Sequence, residues 1–165
     1  MAERRPATDE EAKALASTLR IRILRVCHTD SHTNKEIAET VGRDPATTLH
    51  HVRRLVDTGF LVAQPVRRGV RGSREIPYLA TGKSWMLSTP AAARTMLEAF
   101  LEEVALVPAT ELDGSRLGLR LSPADMAEFR DRMQDLLDEF AQRPDDRNAP
   151  AWSLFLAIHP DPNRR

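Results

Sequence analysis

TNKEIAETVGRDPATTLHHVRRLVDTG, residues 33–59, contains two helix starts and two helix stops. Thr33 followed by Glu36 has the form of a capping box, in which each side chain satisfies the other residue's backbone N–H. Ile37, Ala38 and Val41 then recur on one face, and Gly42 ends the helix in a position suited to the left-handed conformation. One residue, Arg43, separates that stop from the next start, where Asp44 is the N-cap and Pro45 occupies the first helical position. The second helix runs through ATTLHHVRRLVDT to Gly59. Two short helices joined by a tight glycine turn make a helix-turn-helix pattern.

The neighbouring residues extend the pattern. Upstream, the acids of DEEAKALAST suit a helix N-terminus, and Ser17 caps a second helix, TLRIRILRVC, with Leu19, Ile23, Val26 and Cys27 at helical spacing. Downstream, FLVAQPV and EIPYLAT are rich in strand-forming residues. Between them, RRGVRGSR places Arg67, Arg68, Arg71 and Arg74 around Gly69 and Gly72, which lets a hairpin tip follow another surface closely. A helix-turn-helix followed by a basic hairpin is a winged helix.

A helical wheel over residues 45–58 turns Val52, Leu55 and Val56 to the core, flanked by Thr48 and Leu49. Thr47, His50, Arg54 and Asp57 lie on the opposite face, with Ala46 and Arg53 on one flank and His51 on the other. The adjacent histidines therefore point about 100° apart and do not converge on one metal ion. On an exposed face, Thr and His exchange hydrogen bonds with base edges, and Arg reaches guanine or phosphate. A recognition helix reads bases with its N-terminal residues, which assigns Ala46, Thr47, Thr48 and His50 to the groove. Arg53 and Arg54 go to the backbone or groove edge, and His51 suits either role. The wing arginines Arg67, Arg68, Arg71 and Arg74 suit phosphates or a minor groove. A solvated helix face and a charge-protected hairpin edge are the bland alternatives.

Charge supports this division. The formal net charge of the 165 residues is zero. Residues 1–84 carry 15 Lys and Arg against 10 Asp and Glu, and residues 85–165 carry 9 against 14. Seven arginines against two aspartates in residues 43–74 form the strongest local concentration, which an anionic polymer would feel. The N-terminal residues lack the apolar region of a secretion signal, no apolar run approaches a membrane span, and the single cysteine cannot form an internal disulfide. These features point to the cytoplasm and away from membranes.

The second half reads as helix, strand, helix, strand. Residues 89–107 carry a stripe of Leu97, Phe100, Leu101, Val104 and Val107. SRLGLRL, residues 115–121, alternates Leu117, Leu119 and Leu121. SPADMAEF starts a helix with Met126, Phe129, Met133, Leu136, Leu137 and Phe140 inward, and AWSLFLAIH, residues 151–159, reads as a final strand. The expected architecture is α+β, with a winged helix-turn-helix over 1–84 and a smaller unit over 85–165 that dimerises.

LASTLRIRILRV, NKEIAETVGRDPATTLHHVRRLVDTGFLV and REIPYLAT together resemble the winged-helix domain of ArsR-type bacterial transcriptional regulators, over about residues 10–82. The second half resembles, more weakly, the extensions of uncharacterised members. The resemblance implies a homodimer on an imperfect palindrome of double-stranded DNA, acting as a repressor, with room for a small-molecule effector that it does not name. The metal sensors of that family place paired cysteines at the start of the first helix of the helix-turn-helix, and TNKEIAE has none. Another sensor class uses His and carboxylates on the dimerisation helix, and residues 89–107 contain no His.

Two alternatives remain open at this level. One is a winged-helix protein-interaction module that does not bind DNA. The other is a thiol- or metal-responsive regulator using Cys27, near His28, Asp30 and His32, although Cys27 falls on an apolar stripe. Catalysis is not expected: there is no G-x-S-x-G, glycine-rich phosphate loop or H-E-x-x-H, and the loop acids Glu111, Asp113, Asp145 and Asp146 lack an evident partner. No cofactor and no metal site is expected.

Overall fold

A computed structural model describes residues 4–69, 72–144, 146 and 148–163. The chain divides into two compact units, Ala2–Leu106 and Val107–Arg165. The division thus falls after Leu106, where the sequence reading placed it after residue 84.

The first unit is built on five helices. A capping box of Thr8 and Glu11 starts α1 (Asp9–Leu15), and Ser17 caps α2 (Thr18–Val26). The expected box of Thr33 and Glu36 starts α3 (Asn34–Val41), with Thr33 N donating to Glu36 Oε2 at 2.7 Å. Gly42 ends α3 at φ 66°. Asp44 Oδ1 accepts from Ala46 N and Thr47 N at 2.8 and 3.2 Å and starts α4 (Pro45–Asp57), with Pro45 in its first turn. Asn34 Nδ2 donates to Pro45 O at 2.9 Å and fastens the first residue of α3 to the first of α4. After a short 3-10 turn comes α5 (Ala93–Val104).

The strands are short. β1 (Arg5–Pro6) pairs in parallel with β7 (Leu87–Ser88). β2 (His32–Thr33), β6 (Pro77–Ala80) and β3 (Leu61–Ala63) form an antiparallel sheet in the order β2-β6-β3. β4 (Arg67–Arg68) and β5 (Arg74–Glu75) close the outer hairpin. The expected strands FLVAQPV and EIPYLAT are present, each broken into an inner piece on the sheet and an outer piece on the hairpin.

The core lies where α2 crosses α3, α4 and α5. Ile23, Cys27, Ile37, Val52, Leu55 and Phe60 are buried in it. Helix α2 buries Ile21 and Leu24 as well as the expected Ile23 and Cys27, because α1, α3, α4 and α5 all pack against it. Two ion pairs hold α5 in place, Arg22 to Glu102 at 3.6 Å and Arg25 to Glu103 at 3.1 Å. The dimerisation helix expected in the second half is therefore part of the winged unit.

In the second unit, Ser122 caps α6 (Pro123–Ala141) as expected. The two expected strands are absent: neither 115–121 nor 151–159 is in a ladder. Alternation makes a strand only when a neighbour supplies hydrogen bonds and covers the apolar face. Here Leu117 and Trp152 are 74% and 86% exposed. No described residue of this unit is buried.

Candidate nucleic-acid interface

The N-cap at Asp44 and the buried Val52 and Leu55 fix how α4 is rolled against the unit. That roll leaves Ala46, Thr47, His50 and Arg53 exposed, as the wheel predicts. Thr48 requires a correction. It is fully buried, and its hydroxyl donates to Asp44 O at 2.9 Å. A 100° step per residue takes Thr48 to the core side together with Val52 and Leu55, so it belongs to the helix support and not to the groove.

The two histidines differ. His50 is exposed, and its ring lies edge-on to that of His51 at 5.7 Å. His51 is half-buried, with Nδ1 3.2 Å from Arg20 Nη1 of α2. Among the described residues, no group of three or more His, Cys, Asp or Glu could hold a metal ion.

The arginines fall into two groups. Arg54 is half-buried and paired with Glu10 of α1. Arg67 is exposed and pairs with Glu36 of α3 at 2.5 Å and with Glu75 at 3.5 Å. The Arg54 pair holds the Glu10 carboxyl below its ordinary range. The Thr33 backbone N–H does the same for Glu36, with Arg67 adding to it. Arg53, Arg68 and Arg74 are exposed, and none has an ion-pair partner among the described residues. Arg71 lies outside the described residues.

Arg68 and Arg74 face each other across the β4–β5 pair. Like charges directly opposite in an antiparallel ladder are destabilising. Gly69 makes the turn possible, because a Cβ there would meet the Glu75 carboxylate at 2.0 Å. The outer wing is thus a tight hairpin that holds two un-neutralised guanidiniums side by side.

These helices, sheet and hairpin are arranged as the sequence pattern implied. The first unit is a winged helix. A family model described as a helix-turn-helix domain matches residues 15–64 of it. No curated protein matches the chain. Among solved structures, the chain is similar to RV1404 from Mycobacterium tuberculosis at 18% identity, covering 82% of this chain and 84% of that one, with a TM-score of 0.37. It is similar to reduced HlyU from Vibrio cholerae at 19%, covering 54% and 81%, with a TM-score of 0.34. A mutant S. aureus MepR bound to an oligodeoxyribonucleotide gives 15%, 81%, 79% and 0.33. Likenesses this distant decide neither family nor function.

The winged helix also bears on Cys27. The thiol is fully buried, and burial pushes its pKa up to about 12. A cysteine reacts and binds metal as the thiolate, which this environment suppresses. His28 and Asp30 are exposed outside α2, and His32 sits in β2. Cys27 is a core residue, and the thiol-sensor alternative loses its reactive group.

Arg20, on α2, is the interface residue that sequence reading missed. Nothing in TLRIRILRVC marks it as the neighbour of a residue 31 positions later, because only the fold brings α2 and α4 together.

Proposed function

We propose that this chain is a sequence-specific DNA-binding transcriptional regulator of ArsR type. It works in the cytoplasm as a homodimeric repressor on a palindromic operator. The observation that carries the proposal is the Arg68–Arg74 pair. Two unpartnered cations held opposite each other destabilise the hairpin unless an anion comes between or beside them, and a phosphate backbone supplies such anions. The exposed Thr47, His50 and Arg53 on α4 supply the groups that read bases and hold the backbone. Ala46 joins them as an apolar contact, and Arg54 and Arg67 take part when DNA displaces Glu10 and Glu36. His51 and Arg71 complete the set. No helix among the described residues is long and apolar enough to cross a membrane.

Salt titration tests this. With about three phosphate contacts per subunit, log K against log salt should fall with a slope of about −5. Arg68→Ala or Arg74→Ala should make the slope shallower by about 1 and weaken operator and random DNA alike. A flat salt response on every DNA would instead favour a protein-docking winged helix.

Base reading has its own test. Thr47→Ala should cut the preference for operator over random DNA by about 1–3 kcal/mol. Thr48→Val should leave that preference intact and cost about 1 kcal/mol of stability through the lost hydroxyl bond. Competition binding measures the first effect and urea denaturation the second. Equal effects of both variants on specificity would mean that the helix is rolled differently on DNA.

Dimerisation is assigned to the second unit. Eleven of its large apolar side chains, from Val107 to Ile158, are at least 40% exposed. Together they present on the order of 1,000 Å², comparable to the ~800 Å² that each partner buries in a standard interface. A monomer rarely leaves so much apolar surface in water.

A further inference from the structure

His51 neighbours the reading face of α4 without sharing its exposure, and its partner is a guanidinium. Arg20 Nη1 lies 3.2 Å from His51 Nδ1. The same guanidinium is anchored at two other points, with Nε donating to Ala14 O at 2.5 Å and Nη2 donating to Lys13 O at 2.8 Å. Its position is therefore set by the end of α1 and does not depend on the histidine.

A guanidinium has only donors and does not lose its proton in a protein. For the contact to be a hydrogen bond, His51 Nδ1 must accept. An imidazole whose Nδ1 accepts is neutral and carries its proton on Nε2. Nε2 makes no hydrogen bond within the chain and is not a buried atom lacking a partner, so it meets solvent.

We propose that Arg20 is a positioning residue that holds His51 as the neutral Nε2–H tautomer, so that His51 offers DNA one hydrogen-bond donor and no acceptor. The proposal rests on the DNA-binding reading above and specifies what one residue of that surface can recognise. Facing Nε2–H, a phosphate oxygen, a purine N7, guanine O6 or thymine O4 is accepted. The cytosine edge, which carries only the N4 amine donor in the major groove, is excluded.

The surrounding charges act in the same direction. Arg20 on α2 faces the ring, and His50 and Arg54 are its neighbours on α4, with Glu10 of α1 taken up by Arg54. Burial lowers the pKa of His51, and the charges of Arg20 and His50 lower it further. The side-by-side histidines thus divide the work. His50 is exposed and free to gain a proton against phosphate, whereas His51 keeps one form.

The test is nitrogen NMR on the full-length protein labelled at histidine, without DNA. His51 should show a protonated Nε2 and an unprotonated Nδ1 at neutral pH, and should resist protonation as pH falls toward 6. A protonated Nδ1, or a ring that titrates like a free histidine, overturns the proposal. In Arg20→Met the fixed donor is gone, so the ring should populate both tautomers and its titration midpoint should rise. In Arg20→Lys, which keeps a donor and a charge, the wild-type tautomer should largely persist. Should Arg20→Met not fold, the wild-type spectrum and the lysine variant still decide. Binding is read separately, on operators carrying each base at the position that loses discrimination in His51→Ala. Rejection of cytosine there by the wild type, and its relief in Arg20→Met, is expected. A protein with the expected tautomer that binds no DNA would sink the DNA reading and leave the tautomer intact. A DNA-binding protein with the opposite tautomer would do the reverse.

Discussion

Replacing Glu11 with alanine should cost the first unit about 3 kcal/mol, the scale expected for breaking a buried ion pair. The Glu11 side chain is only 8% exposed and gathers four donors. Arg5 grips it with two nitrogens, at 2.8 and 2.7 Å. Lys83 Nζ is 2.7 Å away, and Thr8 N donates at 2.8 Å. Lys83 also donates to Thr58 O at 2.7 Å and lies over the Phe60 ring. One carboxylate thus ties β1, α1, the end of α4 and the segment after the wing. Arg5 is half-exposed and regains water when its partner is lost, which keeps the loss at the lower end of the range.

The sign with pH follows from the same contacts. Arg5, Lys83 and the Thr8 N–H hold the Glu11 carboxyl well below the usual carboxylate range. Its contribution is complete above the ordinary value of 4.5 and is lost as pH falls below it, because the unfolded chain takes up that proton first. Urea denaturation at pH 7 and at pH 4 measures both effects. Glu11→Gln should flatten the acid-side loss. A surface pair such as Arg132 with Glu128 should change stability by less than about 1 kcal/mol. A Glu11 variant as mild as that one would mean that the four donors find water equally good.

The second large effect concerns assembly. A chain ending at Leu106 keeps every residue found buried, so it should fold. It loses α6 and the exposed apolar segments around it. Such a fragment should be monomeric by light scattering, where the full chain is a dimer. Its operator affinity should fall by about 10²–10⁴, the loss expected when two half-sites are no longer held together. A dimeric fragment would move the interface to α5. A monomeric full chain would remove the dimer. Cutting at residue 84 would not be a clean test, because it removes the buried Leu87, Ala92 and Ala99 and the partners of Arg22 and Arg25.

The parts legible in sequence are those whose causes lie within a few residues. The box of Thr33 and Glu36, the stop at Gly42, and the start at Asp44 and Pro45 follow from spacings of one to three positions, and they deliver the helix-turn-helix. The order of strands and the basic wing follow from the same kind of local signal. What was not legible depends on distant pairs. Arg54 looks free until Glu10, 44 positions earlier, is brought to it, and Arg67 until Glu36 is. β1 and β7 are two residues each and carry no pattern of their own. Thr48 sits at the margin of the wheel, where a small roll decides between groove and core. The leucines of 115–121 and the apolar run of 151–159 have the right period, but period does not supply the neighbouring strand that a ladder requires. Placing α5 with the first unit also softens the charge contrast. Residues 2–106 carry 16 Lys and Arg against 13 Asp and Glu, and 107–165 carry 8 against 11.

The β1–β7 pairing means that the winged helix begins and ends at nearly the same point. Ala7 N donates to Ser88 O at 3.2 Å, so 80 residues of intervening chain leave and return to one spot. A unit whose two ends meet is portable. It can be spliced into a surface loop of another protein, or given a different companion after α5, without stretching any of its own connections. Its reading head and its companion unit can therefore change independently, with the joint between them as the place where one is exchanged for another.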